Sequence, residues 1–167
     1  CIRDRKINIA LIGCGRISKK HITAIIKEKK RCNLIAICDS SKEKLELTYS
    51  FYKEQSEDKL FYENLKKYSS YQELLNAHIN RKLFIDLVVL ATPSGMHPKQ
   101  TIFAAKSGIN ICTEKPMALN VKDGLKMINK CQKNDVKLFV VKQSRLNPTL
   151  IDLREKIKEK KFGKIGI

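Results

Sequence analysis

The fold of this chain can be predicted outward from one short stretch, Gly13-Cys14-Gly15-Arg16-Ile17-Ser18. An apolar run at residues 7–12 precedes it, and a helical pattern with isoleucines on one face follows it. A strand, a glycine turn and a helix form the context in which a Gly-x-Gly-x-x-Gly match indicates dinucleotide binding. Gly13 permits the tight turn, Gly15 lets the backbone approach a pyrophosphate, and Ser18 replaces the third glycine with another small residue. The alternative is a glycine turn with a structural role alone.

A second predicted strand ends in an acidic residue. Residues 33–38 are mostly apolar, and Asp39 follows them at close to the spacing of about 20 residues that dinucleotide-binding turns show. A carboxylate there accepts hydrogen bonds from the ribose hydroxyls of NAD and repels the additional phosphate of NADP. The alternative is that Asp39 only caps the next helix. The order of these features favours NAD, with Arg16 and Ile17 as further cofactor contacts at the start of the first helix.

Length and composition bound the class of protein. The 167 residues correspond to about one domain, and the 43% hydrophobic content is sufficient for a core. The net charge of +17 raises the alternative of nucleic-acid binding. The lysines, however, are spread along the chain on polar helix faces, which favours a solvated basic surface that attracts anionic nucleotides.

Cysteine usage and hydropathy indicate the compartment. None of the six cysteines forms a C-x-x-C pair, so no metal site is predicted, and several lie in apolar runs as small hydrophobic residues. This usage suits a reducing cytoplasm. No run of 18 apolar residues predicts a membrane span, and no signal peptide is visible. Because the chain starts at Cys1 rather than Met, we expect further residues upstream.

Strands and helices alternate along the rest of the chain, which predicts an α/β fold with a doubly wound parallel sheet. Capping residues predict where three of the helices begin, and glycines predict where two end. Residues 53–70 are polar and poorly periodic and are interpreted as a surface segment. The further predicted strands are 85–91, 109–113, 136–141 and the start of one at 165–167; the capping residues are Ser70, Asn120 and Asn147; the terminating glycines are Gly108 and Gly163.

The unusual polar clusters all fall where predicted strands end. Ligands bind at the carboxyl ends of the strands in such sheets, so these clusters are predicted to form one site. They are residues 13–18, 39, 92–97, 114–116 and 143–147.

Three of these motifs together resemble the Gfo/Idh/MocA oxidoreductases, which include glucose–fructose oxidoreductase and inositol dehydrogenases. They are Gly-Cys-Gly-Arg-Ile followed by His21, Ala-Thr-Pro-Ser-Gly-x-His at 91–97, and Glu-Lys-Pro-Met-Ala-Leu at 114–119. The resemblance covers nearly the whole chain and implies a Rossmann domain that binds NAD. Residues 142–148 resemble the subgroup that oxidises UDP-N-acetylglucosamine-type uronic acids at C3.

The resemblance also implies roles for individual residues. Lys115 matches the lysine at the reaction centre, where it is the predicted catalytic residue and touches both cofactor and substrate. The other implied cofactor residues are Ala91, Thr92, Pro93, Ser94, His97, Glu114 and Gln143. Arg145 and Asn147 are implied to face substrate. The alternatives are a loop or helix-start residue for His97, a surface lysine for Lys115, a surface charge for Arg145 and a helix cap for Asn147.

The family pattern extends beyond this chain. Its members have a second α/β domain with an open antiparallel sheet, which is largely missing here. We therefore expect residues 1–146 to be the dinucleotide-binding domain and 147–167 to be the start of a truncated substrate domain. The resemblance implies an NAD-dependent sugar or nucleotide-sugar dehydrogenase, homo-oligomeric at full length and inactive as this fragment. The alternative is a non-catalytic nucleotide- or nucleic-acid-binding module.

Overall fold

The sheet has six strands, all paired in parallel. The computed structural model describes residues 5–56 and 62–164. The strand order is β3-β2-β1-β4-β5-β6, so the order reverses between β1 and β4. This confirms the predicted doubly wound parallel sheet. The strands are β1 (Ile7–Ile12), β2 (Cys32–Cys38), β3 (Lys66–Tyr68), β4 (Leu87–Leu90), β5 (Asn110–Thr113) and β6 (Leu138–Val140).

The helices connect the strands, and three of them begin where the sequence predicts a cap. The side chains of Ser70, Asn120 and Asn147 each accept a hydrogen bond from a backbone N–H of the following helix, as predicted. In the described part of the chain, short 3-10 helices cover Ser94–Met96 and Gln143–Leu146. The α-helices are α1 (Ser18–Lys27), α2 (Lys42–Gln55), α3 (Tyr71–Ile79), α4 (His97–Lys106), α5 (Val121–Lys133) and α6 (Pro148–Lys158).

Apolar side chains are buried on both faces of the sheet. On β1, Ile9 and Leu11 face one side, where they join a cluster with residues of α1 and α2 such as Ile22. Ala10 and Ile12 face the other side and join a cluster with residues of α3, α4 and α5. Because consecutive strand residues point to opposite faces, a strand covered by helices on both sides becomes a continuous apolar run. This apolar run is the pattern from which β1 is predicted in the sequence.

Two predicted boundaries were wrong. The segment 53–70 is not only a surface insertion: α2 continues to Gln55, and β3 pairs with residues 36–38 of β2. The final helix ends at Lys158 instead of at Gly163, because Lys160 adopts a left-handed φ of 57°. The strand predicted at 165–167 lies outside the described residues, and the domain boundary at 146/147 stays a prediction.

Candidate functional site

The two glycines of the turn after β1 have different surroundings. Gly13 has a φ of +95°, and a Cβ added to it would lie 2.7 Å from both the carbonyl carbon and the carbonyl oxygen of Ala91. Its N–H donates to the carbonyl of Cys38 at 2.8 Å, which joins the ends of β1 and β2. A Cβ added to Gly15 would meet no atom within 4 Å. Gly13 is therefore required by the packing of the turn, whereas Gly15 leaves open space in front of the backbone.

The start of α1 has no side chain that satisfies its free N–H groups. Ile17 occupies the N-cap position without a side-chain hydrogen bond, and the first turn contains no acidic residue. The buried Ser18 hydroxyl donates to the Gly15 carbonyl, so it ties the turn to the helix and does not cap it. Arg16 is exposed at the same end. An uncapped helix N-terminus beside an open glycine is an arrangement that suits a phosphate group.

Asp39 is half-buried beside this turn and holds two backbone segments together. Its Oδ2 accepts a hydrogen bond from the Cys14 N–H at 2.8 Å, and its Oδ1 accepts one from the Ser41 N–H at 2.9 Å. Ser41, not Asp39, is the N-cap of α2. Each carboxylate oxygen can accept a second bond, so this structural role leaves acceptor capacity for ribose hydroxyls.

A cleft with a volume of about 490 Å³ opens at the carboxyl ends of β1, β2 and β4. Six of the predicted cofactor residues line it, namely Gly13, Gly15, Asp39, Ala91, Thr92 and Pro93. Ser94 follows Pro93 at the start of a 3-10 helix. The position of the cleft, between the strands where the sheet order reverses, is where doubly wound sheets bind their ligands.

The cleft also has lining residues that sequence reasoning missed. Gln100 of α4 accepts a hydrogen bond from the Thr92 hydroxyl at 2.6 Å on its side-chain oxygen, and the Tyr71 hydroxyl donates to its backbone carbonyl at 2.8 Å. Burial raises the pKa of Tyr71, so the phenol stays protonated as a donor. Lys44 and Ser69 lie at the Asp39 end. The only available signal was polarity inside predicted helices, as at Gln100, which is buried.

His97 is fully buried and joins two loops of the site. Its Nε2 lies 2.9 Å from the Thr92 carbonyl oxygen, and its Nδ1 lies 3.1 Å from the Pro116 carbonyl oxygen. Both ring nitrogens thus face carbonyl oxygens of the protein. The imidazole therefore acts within the chain, linking the loop after β4 to the loop after β5, and a direct contact of His97 with the cofactor stays a prediction.

Glu114 and Lys115 follow β5, beside the cleft strands. The Glu114 carboxylate is largely buried; its Oε1 lies 2.9 Å from His21 Nε2, and its Oε2 accepts a hydrogen bond from the Lys115 N–H at 3.2 Å. The Lys115 residue itself is exposed. Glu114 is thus held on both oxygens, whereas the adjacent lysine amine is available to a ligand at the carboxyl edge of the sheet.

The predicted site residues that follow β6 do not line the cleft. Gln143 and Arg145 lie in the 3-10 helix after β6, and both are exposed. Asn147 is also exposed, and its side chain accepts a hydrogen bond from the Thr149 N–H at 2.9 Å, which is the capping role that the sequence left open. Contacts of these three residues with nicotinamide or substrate stay predictions.

These observations test whether the residues fit a dinucleotide. Gly15 and Asp39 line one cleft, and α1 begins at Ser18 without a side-chain cap, so the features that a pyrophosphate and a ribose require lie close together. Within residues 5–56 and 62–164, no group of three His, Cys, Asp or Glu side chains is placed to hold a metal ion. No helix in that part of the chain is long and apolar enough to span a membrane.

A family model described as an oxidoreductase family with an NAD-binding Rossmann fold matches residues 7–142. The chain belongs to the Gfo/Idh/MocA family. This confirms the resemblance, the Rossmann fold and NAD as the cofactor class. The Gfo/Idh/MocA match ends before Gln143, so that residue, Arg145 and Asn147 lie beyond the matched segment.

Several family members resemble this chain over almost its whole length. The WlbA dehydrogenase of Chromobacterium violaceum, solved with NADH and UDP-GlcNAcA, is 37% identical with a TM-score of 0.83, over 98% of this chain and 43% of that one. WlbA of Bordetella pertussis, solved with the same two ligands, is 39% identical with a TM-score of 0.82, over 96% of this chain and 44% of that one. Myo-inositol 2-dehydrogenase of Thermotoga maritima is 28% identical over 95% of this chain and 42% of its own length. The chain therefore spans less than half the length of these relatives.

Proposed function

We propose that this chain is the cofactor-binding part of an NAD-dependent oxidoreductase that transfers a hydride between nicotinamide and a hydroxyl-bearing carbon of a sugar or nucleotide sugar. One observation carries the proposal. The exposed Lys115 follows the carboxyl end of β5, which pairs with β4, a strand whose end opens into the cleft, and the Lys115 backbone is held by Glu114. A lysine amine in that position is suited to a substrate hydroxyl.

The finer proposal concerns the substrate. We propose a UDP-N-acetylglucosaminuronate-type sugar, oxidised at C3. Its support is the identity of 37% and 39% with two WlbA dehydrogenases that were solved with NADH and UDP-GlcNAcA, over nearly all of this chain. The inositol and D-apiose dehydrogenases are matched at lower identity, 28% and 26%. A basic surface, with a net charge of +17 for the chain, also favours a substrate that carries phosphates and a carboxylate.

In this proposal the described residues bind and orient. The N–H groups at the start of α1 and the backbone at Gly15 hold the pyrophosphate, and Asp39 accepts hydrogen bonds from ribose hydroxyls. NAD, when bound, supplies the hydride acceptor or, as NADH, the donor. The linked loops after β4 and β5, joined by His97, keep the cofactor side and the lysine side of the site in fixed relation.

Lys115 is the residue that we propose handles the proton. Oxidation of an alcohol removes a hydride from carbon and a proton from oxygen. A neutral Lys115 amine accepts the hydroxyl proton as the hydride leaves, and the ammonium returns it in the reverse direction. Arg145 and Asn147 are proposed to face the substrate and Gln143 the nicotinamide, from the loop after β6 that lies beside β5.

Lys115→Met tests the proposal, because methionine keeps much of the bulk of lysine and removes the amine. The longest reading frame that contains this chain is purified, and NADH formation from UDP-N-acetylglucosaminuronate is measured. We expect kcat and kcat/KM to fall about 10² to 10⁴-fold, with NAD affinity little changed. Lys137→Met is the matched control, since Lys137 is an exposed lysine at the amino end of β6.

Near-normal turnover of Lys115→Met would refute the catalytic role, and turnover by residues 1–167 alone would refute the proposed division of labour between two domains. The alternative of a nucleic-acid-binding module receives no support from the family match. Steep, salt-sensitive retention on RNA or DNA without NAD binding would revive it. A homo-oligomeric state and a cytoplasmic location stay predictions from the sequence.

A further inference from the structure

The proposed reaction uses Glu114 to hold the Lys115 backbone, but it gives no role to His21, which is paired with Glu114. His21 lies on α1, which begins at the proposed phosphate site, and Glu114 directly precedes Lys115. We infer that His21 is a positioning residue for Lys115 and acts through the Glu114 carboxylate. This inference rests on the proposed function of Lys115.

The geometry makes a continuous connection of three groups. His21 Nε2 lies 2.9 Å from Glu114 Oε1, and Glu114 Oε2 accepts a hydrogen bond from the Lys115 N–H at 3.2 Å. Only 17% of the His21 side chain and 13% of the Glu114 side chain are exposed. The two partners are separated by 93 positions in the sequence, so the pair joins distant parts of the fold.

Both carboxylate oxygens of Glu114 therefore have a partner, His21 for one and the Lys115 N–H for the other. A carboxylate that accepts two hydrogen bonds from different directions is fixed in rotation, and a bond to an ionised group is stronger than one between neutral groups. Removal of the imidazole leaves a largely buried oxygen without its donor, which is costly. The carboxylate then turns to find a new partner, and the bond to the Lys115 backbone is lost with it.

A second imidazole holds the other side of the same segment. His97 Nδ1 lies 3.1 Å from the carbonyl oxygen of Pro116, the residue after Lys115. The segment is thus connected to α1 through His21 and the Glu114 carboxylate, and to α4 through His97 and the Pro116 carbonyl. With His97 in place, loss of the His21 bond frees one side of Lys115 and leaves the loop itself attached. This predicts a misplaced amine in a folded protein.

The experiment compares three single variants. His21→Leu removes the imidazole N–H donor and puts an apolar side chain of similar size in its place. His21→Gln keeps an N–H donor that can reach Glu114. His78→Leu is the matched control, because His78 is also half-buried on a helix and uses its Nδ1 to accept a hydrogen bond from the Ile85 N–H at 3.1 Å, before the amino end of β4.

The first measurement is made on residues 1–167 and involves no turnover. Hydrogen exchange of the Lys115 backbone amide, followed by NMR, reports the bond to Glu114 directly. We expect exchange about fivefold faster in His21→Leu, as for the loss of one hydrogen bond of ordinary strength. His21→Gln and His78→Leu keep the wild-type rate at this amide.

The second measurement is made on the longest reading frame that contains the chain. We expect kcat for His21→Leu to fall about tenfold to a hundredfold, because misplacement of a catalytic group by about 1 Å costs that much. NADH affinity falls at most about fivefold, the worth of one hydrogen bond of ordinary strength, because Glu114 is itself a predicted cofactor residue. His21→Gln restores most of kcat. His78→Leu lowers Tm but leaves kcat unchanged.

Three outcomes separate the possibilities. An unchanged Lys115 amide and an unchanged kcat in His21→Leu overturn the inference, and so does a His21→Gln variant that is no better than His21→Leu. If Lys115→Met retains turnover, the proposed function fails instead, whatever His21 does. If His21→Leu does not fold, His21→Asn replaces it, because the shorter amide stays polar and does not reach Glu114.

Discussion

Replacement of Gly15 or Gly13 by alanine distinguishes the residue that the cofactor site needs from the residue that the stability of the fold needs. At Gly15 the added Cβ has open space in the protein, and the residue does not have a left-handed φ. We therefore expect Gly15→Ala to leave the free energy of unfolding unchanged or to raise it by up to about 1 kcal/mol. The same methyl group lies where a pyrophosphate would approach. An overpacking cost of about 1–3 kcal/mol in the bound state corresponds to NADH binding roughly five- to 150-fold weaker.

Gly13→Ala should have the opposite profile. Its Cβ would lie 2.7 Å from the carbonyl carbon and oxygen of Ala91 and 2.9 Å from the N atom of Thr92, all of them backbone atoms of the central sheet region that cannot move independently. The φ of +95° adds a conformational cost of about 1–2 kcal/mol for a residue with a Cβ. With a clash cost of about 1–3 kcal/mol, the loss is at least about 2 kcal/mol, which lowers Tm by at least about 4 °C.

Thermal unfolding followed by circular dichroism and NADH titration followed by fluorescence measure the two effects. Gly108→Ala is the control for backbone strain alone, since Gly108 has a φ of +72° and its added Cβ meets nothing within 4 Å. Gly13→Ala should lose more stability than Gly108→Ala. Wild-type NADH affinity in Gly15→Ala would refute a pyrophosphate at this turn, and a wild-type Tm in Gly13→Ala would refute the packing argument.

Three further predictions concern the rest of the molecule. NAD(H) should bind more tightly than NADP(H) in paired titrations, and Asp39→Ala should reduce that preference and lower Tm, because two backbone N–H groups lose their acceptor. Asn120→Ala should cost about 1 kcal/mol in denaturant unfolding, because Asn120 caps α5; an unchanged midpoint would contradict this. Burial raises the pKa of Cys38 and of Tyr52 to about 12, above their values in the unfolded chain. The unfolded chain therefore loses these protons first as the pH rises, so their contribution to stability is fully present below about pH 9 and Tm should fall as the pH rises from 9 towards 12.

The sheet and the cleft floor were predictable because their signals are local. A strand buried on both faces is a run of apolar residues, as in β1 and β4, and the glycine turn and Asp39 follow such runs directly. β3 was missed because its residues Lys66 and Lys67 are exposed lysines, so its strand identity comes from pairing with β2 and not from its composition.

The contacts inside the site were harder to predict from the sequence, because they join residues that are distant from each other in the chain. Nothing near His21 in the sequence indicates that Glu114 will be its partner. The His97 motif indicated a polar role but not that both ring nitrogens would face carbonyl oxygens. Gln100 and Tyr71 belong to helices whose pattern indicates core packing, and only the assembled fold brings them together beside Thr92.

The two outer strands of the described sheet differ in how they can meet another chain. An outer strand presents unpaired N–H and carbonyl groups that can template a further strand. At β3 this is opposed by charge, since Lys66 and Lys67 occupy two of its three positions. At β6 the sequence is Leu138-Phe139-Val140, and half of the Phe139 surface is exposed. The two edges therefore differ in chemistry: charged side chains oppose strand addition at β3, whereas the apolar side chains of β6 do not, and Phe139→Lys would make the two edges more alike.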